Sequence, residues 1–300
     1  MYELIIVGGG PAAMTAAIYA ARKELKFALI APELGGEIVN TSHVENYPGQ
    51  ISITGRELAK SFAEHMKSFN IEHIEDAVTN VKKEGDIFKV KTYGSTYESK
   101  TILWATGSNY RSLNIPGEGE LRSRGVTYCS ICDGPLFKKK TVAVIGTGNS
   151  ALTSVIYMLD IAKKVYLVGR SAAIRADAMM VDKAKADPKL EILYNSTVRS
   201  INGEKRVESI TILENGSEKT IPVDGVIINI GHTPITEPIK DIVPLDPSGY
   251  AVVDAHNMTS VKGLFAAGDV VNVPYKQIVI ATGQGATAAL GAYDYVKTLK

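Results

Sequence analysis

Leu4-Ile5-Ile6-Val7 is a short, continuous apolar run of β-forming residues, and it stops at Gly8-Gly9-Gly10-Pro11-Ala12-Ala13. The small-residue stretch from Met14 to Arg22 has the pattern of a close-packed helix, and a second apolar run, Phe27 to Ile30, follows it. Strand, glycine turn, helix and strand in this order predict a dinucleotide-binding unit. Gly8 permits the tight turn, Gly10 lets the backbone approach a pyrophosphate, and Ala13 lets the helix pack close to the strand. Pro11 stands near the first helical turn, where a missing N–H costs nothing. The helix start then offers free N–H groups and a positive dipole end to phosphates.

Beyond the second strand no acid stands at the strand end, where Ala31-Pro32 lie, but Glu33 follows as a candidate partner for a ribose hydroxyl. The segments Gly35-Gly36-Glu37 and Val44-Glu45-Asn46-Tyr47-Pro48-Gly49 lack periodicity, whereas Thr54-Gly55-Arg56-Glu57-Leu58 opens an amphipathic helix reaching about Phe69. Alternating patterns predict strands near Ala77 to Val81, Ile87 to Thr92 and Thr96 to Ser99. An apolar strand, Thr101 to Trp104, then ends in Ala105-Thr106-Gly107. Asn114-Ile115-Pro116-Gly117 reads as a linker, and the opening pattern repeats after it. Thr141 to Ile145 is a strand, Gly146-Thr147-Gly148-Asn149-Ser150-Ala151 the turn, Leu152 to Ile161 the helix and Val165 to Val168 the next strand. Short strands follow at Ile192 to Tyr194, Val207 to Leu213 and Lys219 to Pro222, and Val226 to Ile230 leads into Gly231-His232. Pro244-Leu245-Asp246-Pro247-Ser248-Gly249 reads as a return linker, after which Gly263 to Ala267 ends in Gly268-Asp269. An acid just after such a strand is placed to accept from a sugar or ribityl hydroxyl, although it can equally cap the next segment. The expected fold is α/β, with two Rossmann-like three-layer nucleotide-binding domains, the second inserted into the first. The expected boundaries are 1–113 and 244–300 for the first domain and 114–243 for the inserted one.

Composition narrows the function classes. An apolar content of 45% over 300 residues supplies core for two domains, and a formal net charge of +1 gives no electrostatic reason to expect nucleic acid or a membrane surface as partner. Lys138-Lys139-Lys140 is the densest basic run and reads first as a solvated loop, with a docking patch for an acidic protein as the alternative. No apolar run approaches the ~18 residues of a membrane span. The strand at Leu4 leaves no room for a signal peptide, so a cytoplasmic protein is expected.

The two cysteines are the chemistry that this scaffold surrounds. They stand in Tyr128-Cys129-Ser130-Ile131-Cys132-Asp133-Gly134 and are the only two in the chain. A dithiol of this spacing closes and reopens as a disulfide, storing two electrons, and its thiolate attacks other disulfides. Half of a zinc site is the alternative, but zinc wants four ligands, and the five histidines, His43, His65, His73, His232 and His256, are scattered. No metal is expected. Two nucleotide sites and one dithiol make an electron-transfer chain, one site holding a flavin and the other the hydride donor.

Taken together, the Gly8 to Ala13 turn, Val44 to Gly49, Ala105-Thr106-Gly107, Cys129 to Asp133, Gly146 to Ala151, Ile230-Gly231-His232-Thr233-Pro234, and Gly268-Asp269 with Gln277 closely resemble the low-molecular-weight thioredoxin reductases over essentially the whole chain. The resemblance implies FAD on the first domain, touched by Gly8, Gly10, Asn46, Thr106, Asp269 and Gln277. Pro11, Ala12, Ala13, Glu33, Gly36, Glu37, Gly107, Gly268, Lys276 and Ile278 complete that candidate site. It implies a nucleotide site on the inserted domain at Gly146, Gly148, Asn149, Ser150, Arg170, Arg175 and Gly231. Cys132 would lie nearer the flavin, Cys129 would attack thioredoxin or a glutaredoxin-like protein, and Asp133 would shuttle the proton. If the pair caps a helix start, as in the family, the dipole would favour a thiolate. The resemblance also implies a homodimer, and domains that rotate about two thin crossovers.

Departures concentrate at the second nucleotide site. The reductases usually carry His-Arg-Arg at the strand end and Phe-Arg-Ala beyond it, where this chain has Gly169-Arg170-Ser171 and Ile174-Arg175-Ala176. Arg170 still suits a phosphate, and no acid at the strand end favours NADH, so NADPH is the first expectation and NADH the alternative. Reduced ferredoxin or a reduced deazaflavin as donor, a flavin-dependent dithiol oxidase, and a redox sensor without turnover are the other readings. Glu37 replaces the usual Gln and Ile235 the usual Asn. For His232 a hydrogen-bonded structural role stands beside a catalytic one.

Overall fold

The computed structural model describes residues 1–41 and 44–299; His43, among the histidines weighed as metal ligands, lies outside them. The chain forms two compact units, Met1–Asn109 with Thr233–Lys300, and Tyr110–His232. No helix among the described residues is long and apolar enough to cross a membrane.

In the first unit the sheet runs His73–Ile74, Phe27–Ile30, Tyr2–Val7, Thr96–Trp104, Ile87–Thr92, Val78–Glu84, with Leu264–Ala266 pairing the far half of Thr96–Trp104. The sequence suggested two strands between Thr96 and Trp104, and the structure has one. Its hydrophobic pattern changes because its partners change. Through Ser99 it pairs antiparallel with Ile87–Thr92 and alternates in burial. From Thr101 it lies between parallel neighbours and is buried without interruption, as expected for a sheet covered on both faces.

Helix Pro11–Arg22 packs on helix Ile278–Thr298 through small residues. A side chain at Gly285 would stand 2.1 Å from the Ala12 carbonyl oxygen, so only glycine lets the two axes approach this closely. Helix Gly55–Lys67 starts at a capping box: Thr54 accepts from the Glu57 N–H at 3.2 Å, and Glu57 accepts from the Thr54 N–H at 3.1 Å. After the inserted unit the chain rejoins the first at Thr233, ahead of the proline-rich 244–249 segment. Ile239 and Val243 bury in the core with Ile5 and Trp104, which ties the intervening residues to this unit.

The second unit repeats the architecture. Its parallel sheet runs Leu190–Leu193, Lys164–Val168, Thr141–Ile145, Gly225–Ile228, Val126–Thr127. A three-stranded antiparallel sheet, Ser196–Asn202, Ser209–Glu214 and Ser217–Pro222, stands beside it. The first of these strands was not legible in the sequence because a register shift between Val198 and Ser200 interrupts its alternation. Helix Ala178–Lys185 was also missed; it buries one residue, Ala184, and shows little amphipathic pattern.

Candidate active site

Three constellations carry the chemistry-bearing residues, and each lies within one unit. The first surrounds the carboxyl end of Tyr2–Val7. Gly8 has φ +123°, and a side chain there would meet the Ala105 carbonyl oxygen at 2.3 Å, so both its conformation and its neighbours demand glycine. At Gly10 no atom lies within 4 Å of where a side chain would begin. Gly10 caps helix Pro11–Arg22 without a side-chain hydrogen bond, leaving first-turn N–H groups for an anion. Ala12 and Ala13 are buried beneath that turn. The 33–36 segment folds over it: the Gly35 N–H donates to the Gly9 carbonyl at 2.8 Å, the Glu33 carbonyl stands against Gly9, and Gly36 lies close to the Gly10 backbone.

On the same unit, Asn46 donates from Nδ2 to Gln277 Oε1 at 3.1 Å. Thr106 donates its hydroxyl to the Ile235 carbonyl at 2.7 Å, and Gly107 takes φ +75° just beyond. Gly268, at φ +80°, donates its N–H to Gln284 Oε1 at 2.9 Å. Burial pushes the Asp269 carboxyl up to about 6; Lys276 nearby opposes this and Glu37 reinforces it. Burial in turn lowers the Lys276 ammonium, whose Nζ donates to the Val271 carbonyl at 2.6 Å and sits 4.2 Å from the centre of the Tyr250 ring. Ile278 opens the final helix directly after Gln277. Sequence reasoning missed Gln284, whose only signal is a polar residue within a helix of small and apolar ones.

The second constellation is the Gly146–Ala151 turn. Gly146 has φ +132° and stands against the Asn229 carbonyl, while Gly148 faces open space and caps helix Asn149–Ile161 without a side-chain bond. The Arg175 N–H donates to the Thr147 carbonyl at 2.7 Å. Asn149 binds Asp177 twice, accepting from its N–H at 2.9 Å and donating to its carboxylate at 3.2 Å. This ties the 170–177 loop to the turn. Ser150 lies exposed in the helix's first turn, and the exposed side chains of Arg170 and Arg175 make no hydrogen bond or ion pair among the described residues. Gly231, at φ +105°, lies beside the Arg111 side chain. Asp177 was not singled out from sequence because it lies outside the glycine turn, and Thr147 because it stands at a variable position between the two glycines.

The third constellation is the dithiol. Cys129 and Cys132 are joined as a disulfide with Cα atoms 5.3 Å apart. Cys129 caps the single-turn helix Ser130–Asp133, and the Cys132 N–H points at its sulfur at 3.2 Å. The dipole expected from a helix start therefore reduces to one N–H donor, since four residues make no macrodipole. Thr127, buried, accepts from the Cys129 N–H at 3.1 Å and donates to Asp133 Oδ2 at 2.5 Å. The turn is pinned from below by Ser130 and Ser154, whose buried hydroxyls are 2.8 Å apart. Tyr128 donates to Glu118 Oε1 at 2.8 Å, and burial, with Glu118 beside it, pushes the phenol up to about 12. His232 packs on Tyr110 with ring centres 4.5 Å apart, and Tyr110 packs on Tyr128 at 4.9 Å.

Residues 2–285 match the sequence model of the pyridine nucleotide-disulphide oxidoreductases. The chain is 41% identical over 305 residues to a thioredoxin reductase of Listeria innocua, covering 100% of this chain and 95% of that protein. It is 38% identical over 298 residues to an NADH dehydrogenase of Bacillus subtilis, covering 98% of this chain but only 58% of that longer protein. Among solved structures, a thioredoxin reductase from Streptococcus pyogenes superposes with a TM-score of 0.95 at 40% identity, covering 99% of both chains.

Proposed function

Because the chain belongs to the pyridine nucleotide-disulphide oxidoreductase family, we propose that it is a thioredoxin-disulfide reductase, passing two electrons from NADPH through FAD and the Cys129/Cys132 dithiol to thioredoxin or a glutaredoxin-like protein. The observation that carries this reading is the Cys129–Cys132 disulfide, set on a turn with an adjoining carboxylate, in a chain with two open glycine turns.

The first unit fits a flavin dinucleotide. Gly10 leaves its backbone open and the helix behind it has unused N–H groups, which suits a pyrophosphate. The Asp269 carboxylate accepts no hydrogen bond among the described residues although burial raises it to about 6, so it is an acceptor suited to ribityl hydroxyls. Asn46 and Gln277 hold one another in place for polar contacts to the ring system. When bound, FAD supplies a carrier that takes a hydride from a reduced nicotinamide and yields an electron pair to a disulfide. On the second unit the Gly148 turn suits the nicotinamide nucleotide's pyrophosphate, and Arg170 and Arg175 are cations for its 2′-phosphate. Gly169 and Ser171 remove two of the family's usual contacts, which favours NADH as the second reading.

At the dithiol, an electron pair and one proton enter on the Cys132 sulfur, the S–S bond breaks, Cys132 becomes a thiol, and Cys129 leaves as a thiolate. That thiolate attacks one sulfur of the partner's disulfide, forming a mixed disulfide. Asp133 takes the proton of the Cys132 thiol, the Cys132 thiolate displaces the partner from Cys129, and Asp133 returns the proton to the departing thiolate. A homodimer working in the cytoplasm is the setting proposed for it, following the reductases it resembles.

The test is an anaerobic titration of the yellow protein with NADPH, NADH, reduced ferredoxin and reduced deazaflavin, watching the flavin band and then the reduction of added thioredoxin. Bleaching by NADPH followed by thioredoxin reduction is expected. Bleaching by none of the four defeats the reading, and rapid oxygen uptake on a small dithiol would favour an oxidase.

A further inference from the structure

Thr127 stands two residues before the first cysteine and is buried, yet neither the glycine turns nor the cysteine spacing accounts for a hydroxyl there. Its oxygen has one proton to give. The Cys129 N–H points at that oxygen at 3.1 Å and uses a lone pair. Two acceptors compete for the hydroxyl proton, Asp133 Oδ2 at 2.5 Å and the Cys129 carbonyl at 3.5 Å, and the shorter contact takes it. The Asp133 N–H closes the loop by donating to the Cys129 carbonyl at 3.1 Å. One oxygen therefore connects the backbone of the first cysteine to the carboxylate that adjoins the second.

We propose that Thr127 is a positioning residue for proton transfer at the dithiol, its hydroxyl fixing the Asp133 carboxylate against the Cys129 backbone and favouring the ionised form that can take the Cys132 proton. A donated hydrogen bond stabilises a carboxylate over the neutral acid. Asp133 thus stays a base until the Cys132 thiol gives up its proton, and the proton passes on to the partner's leaving thiolate. Val126–Thr127 and the 134–137 turn carry no titratable side chain, and helix Asn149–Ile161 offers Tyr157, against Gly134, and Asp160 near its far end. Tyr128 turns its hydroxyl to Glu118. The inference rests on the dithiol reading above.

The experiment pre-reduces the flavin-loaded protein with dithionite and follows thiolate release from dithiobis(nitrobenzoate), and separately from oxidised thioredoxin, across pH in a stopped flow. The variants are Thr127→Val, Thr127→Ala, Thr127→Ser and Asp133→Asn. With Thr127→Val the low-pH limb of the rate should move up by about one pH unit, with about a tenfold loss below it. Thr127→Ser should restore the wild-type profile, and Asp133→Asn should lack that limb. Thr127→Ala repeats the loss of the hydroxyl should valine fail to fold. A profile unchanged in Thr127→Val, a loss equal at every pH, or failure of Thr127→Ser to rescue overturns the proposal. Wild-type protein that reduces the small disulfide but not thioredoxin would instead count against the proposed partner while leaving Thr127 testable.

Discussion

Thr147 Cγ2 lies 2.5 Å from the point where a side chain on Gly169 would begin. The turn of the second nucleotide site and the strand end that follows its helix are thus coupled in volume. Gly169 stands where the reductases that this chain resembles carry histidine, and the threonine methyl occupies the space such a side chain needs. A β-branched threonine has few rotamers with which to withdraw.

Gly169→Ala should therefore destabilise the chain by about 1–3 kcal/mol as overpacking. In the Thr147→Ser background, which removes Cγ2, the same substitution should be nearly neutral. A double-mutant cycle by chemical denaturation checks this, and two additive effects would show that the sites are independent.

Arg170 and Arg175 stand exposed on the loop that Asn149 ties to the turn. Removing a charge-assisted phosphate contact costs about 1.5–3 kcal/mol. Arg170→Gln should thus weaken NADPH roughly tenfold or more and leave NADH within about twofold. Dissociation constants from fluorescence titration decide this; equal losses would mean that Arg170 does not read the 2′-phosphate.

Cys129→Ser should stop thioredoxin reduction while the flavin is still bleached by its donor, because the attacking thiolate is gone and the donor's site is untouched. Cys132→Ser should instead trap the mixed disulfide through Cys129, visible as a covalent adduct on a non-reducing gel. Adduct formation by Cys129→Ser would reverse the two roles.

Asp269 binds its proton near pH 6 in the folded chain, against 3.8 for the unfolded group. Stability from this group is present below the unfolded value and is lost as pH rises towards 6. The raised value corresponds to roughly 3 kcal/mol at most. Asp269→Asn should therefore raise the melting temperature of the flavin-stripped protein near neutral pH, give no gain in acid, and weaken flavin binding. No pH dependence in the difference would mean that the carboxylate is not buried as charge.

Much of the fold and of the candidate site was legible because their demands are local. A strand that must turn sharply into a helix needs glycine at Gly8 and Gly146, and a reversible disulfide needs two cysteines a turn apart, whatever surrounds them. The sequence by itself determined these pieces, their order and their repetition. Tertiary structure alone decided which residues serve them. Thr96–Trp104 reads as two strands and is one because its neighbours change along its length. Thr127, an ordinary β-strand residue by propensity, bridges Cys129 and Asp133 only once the turn has closed. Thr147 excludes a side chain at Gly169 across a helix and a strand. Contacts of this kind join residues with no common period or motif, so they exist only when packing brings the two positions within van der Waals reach.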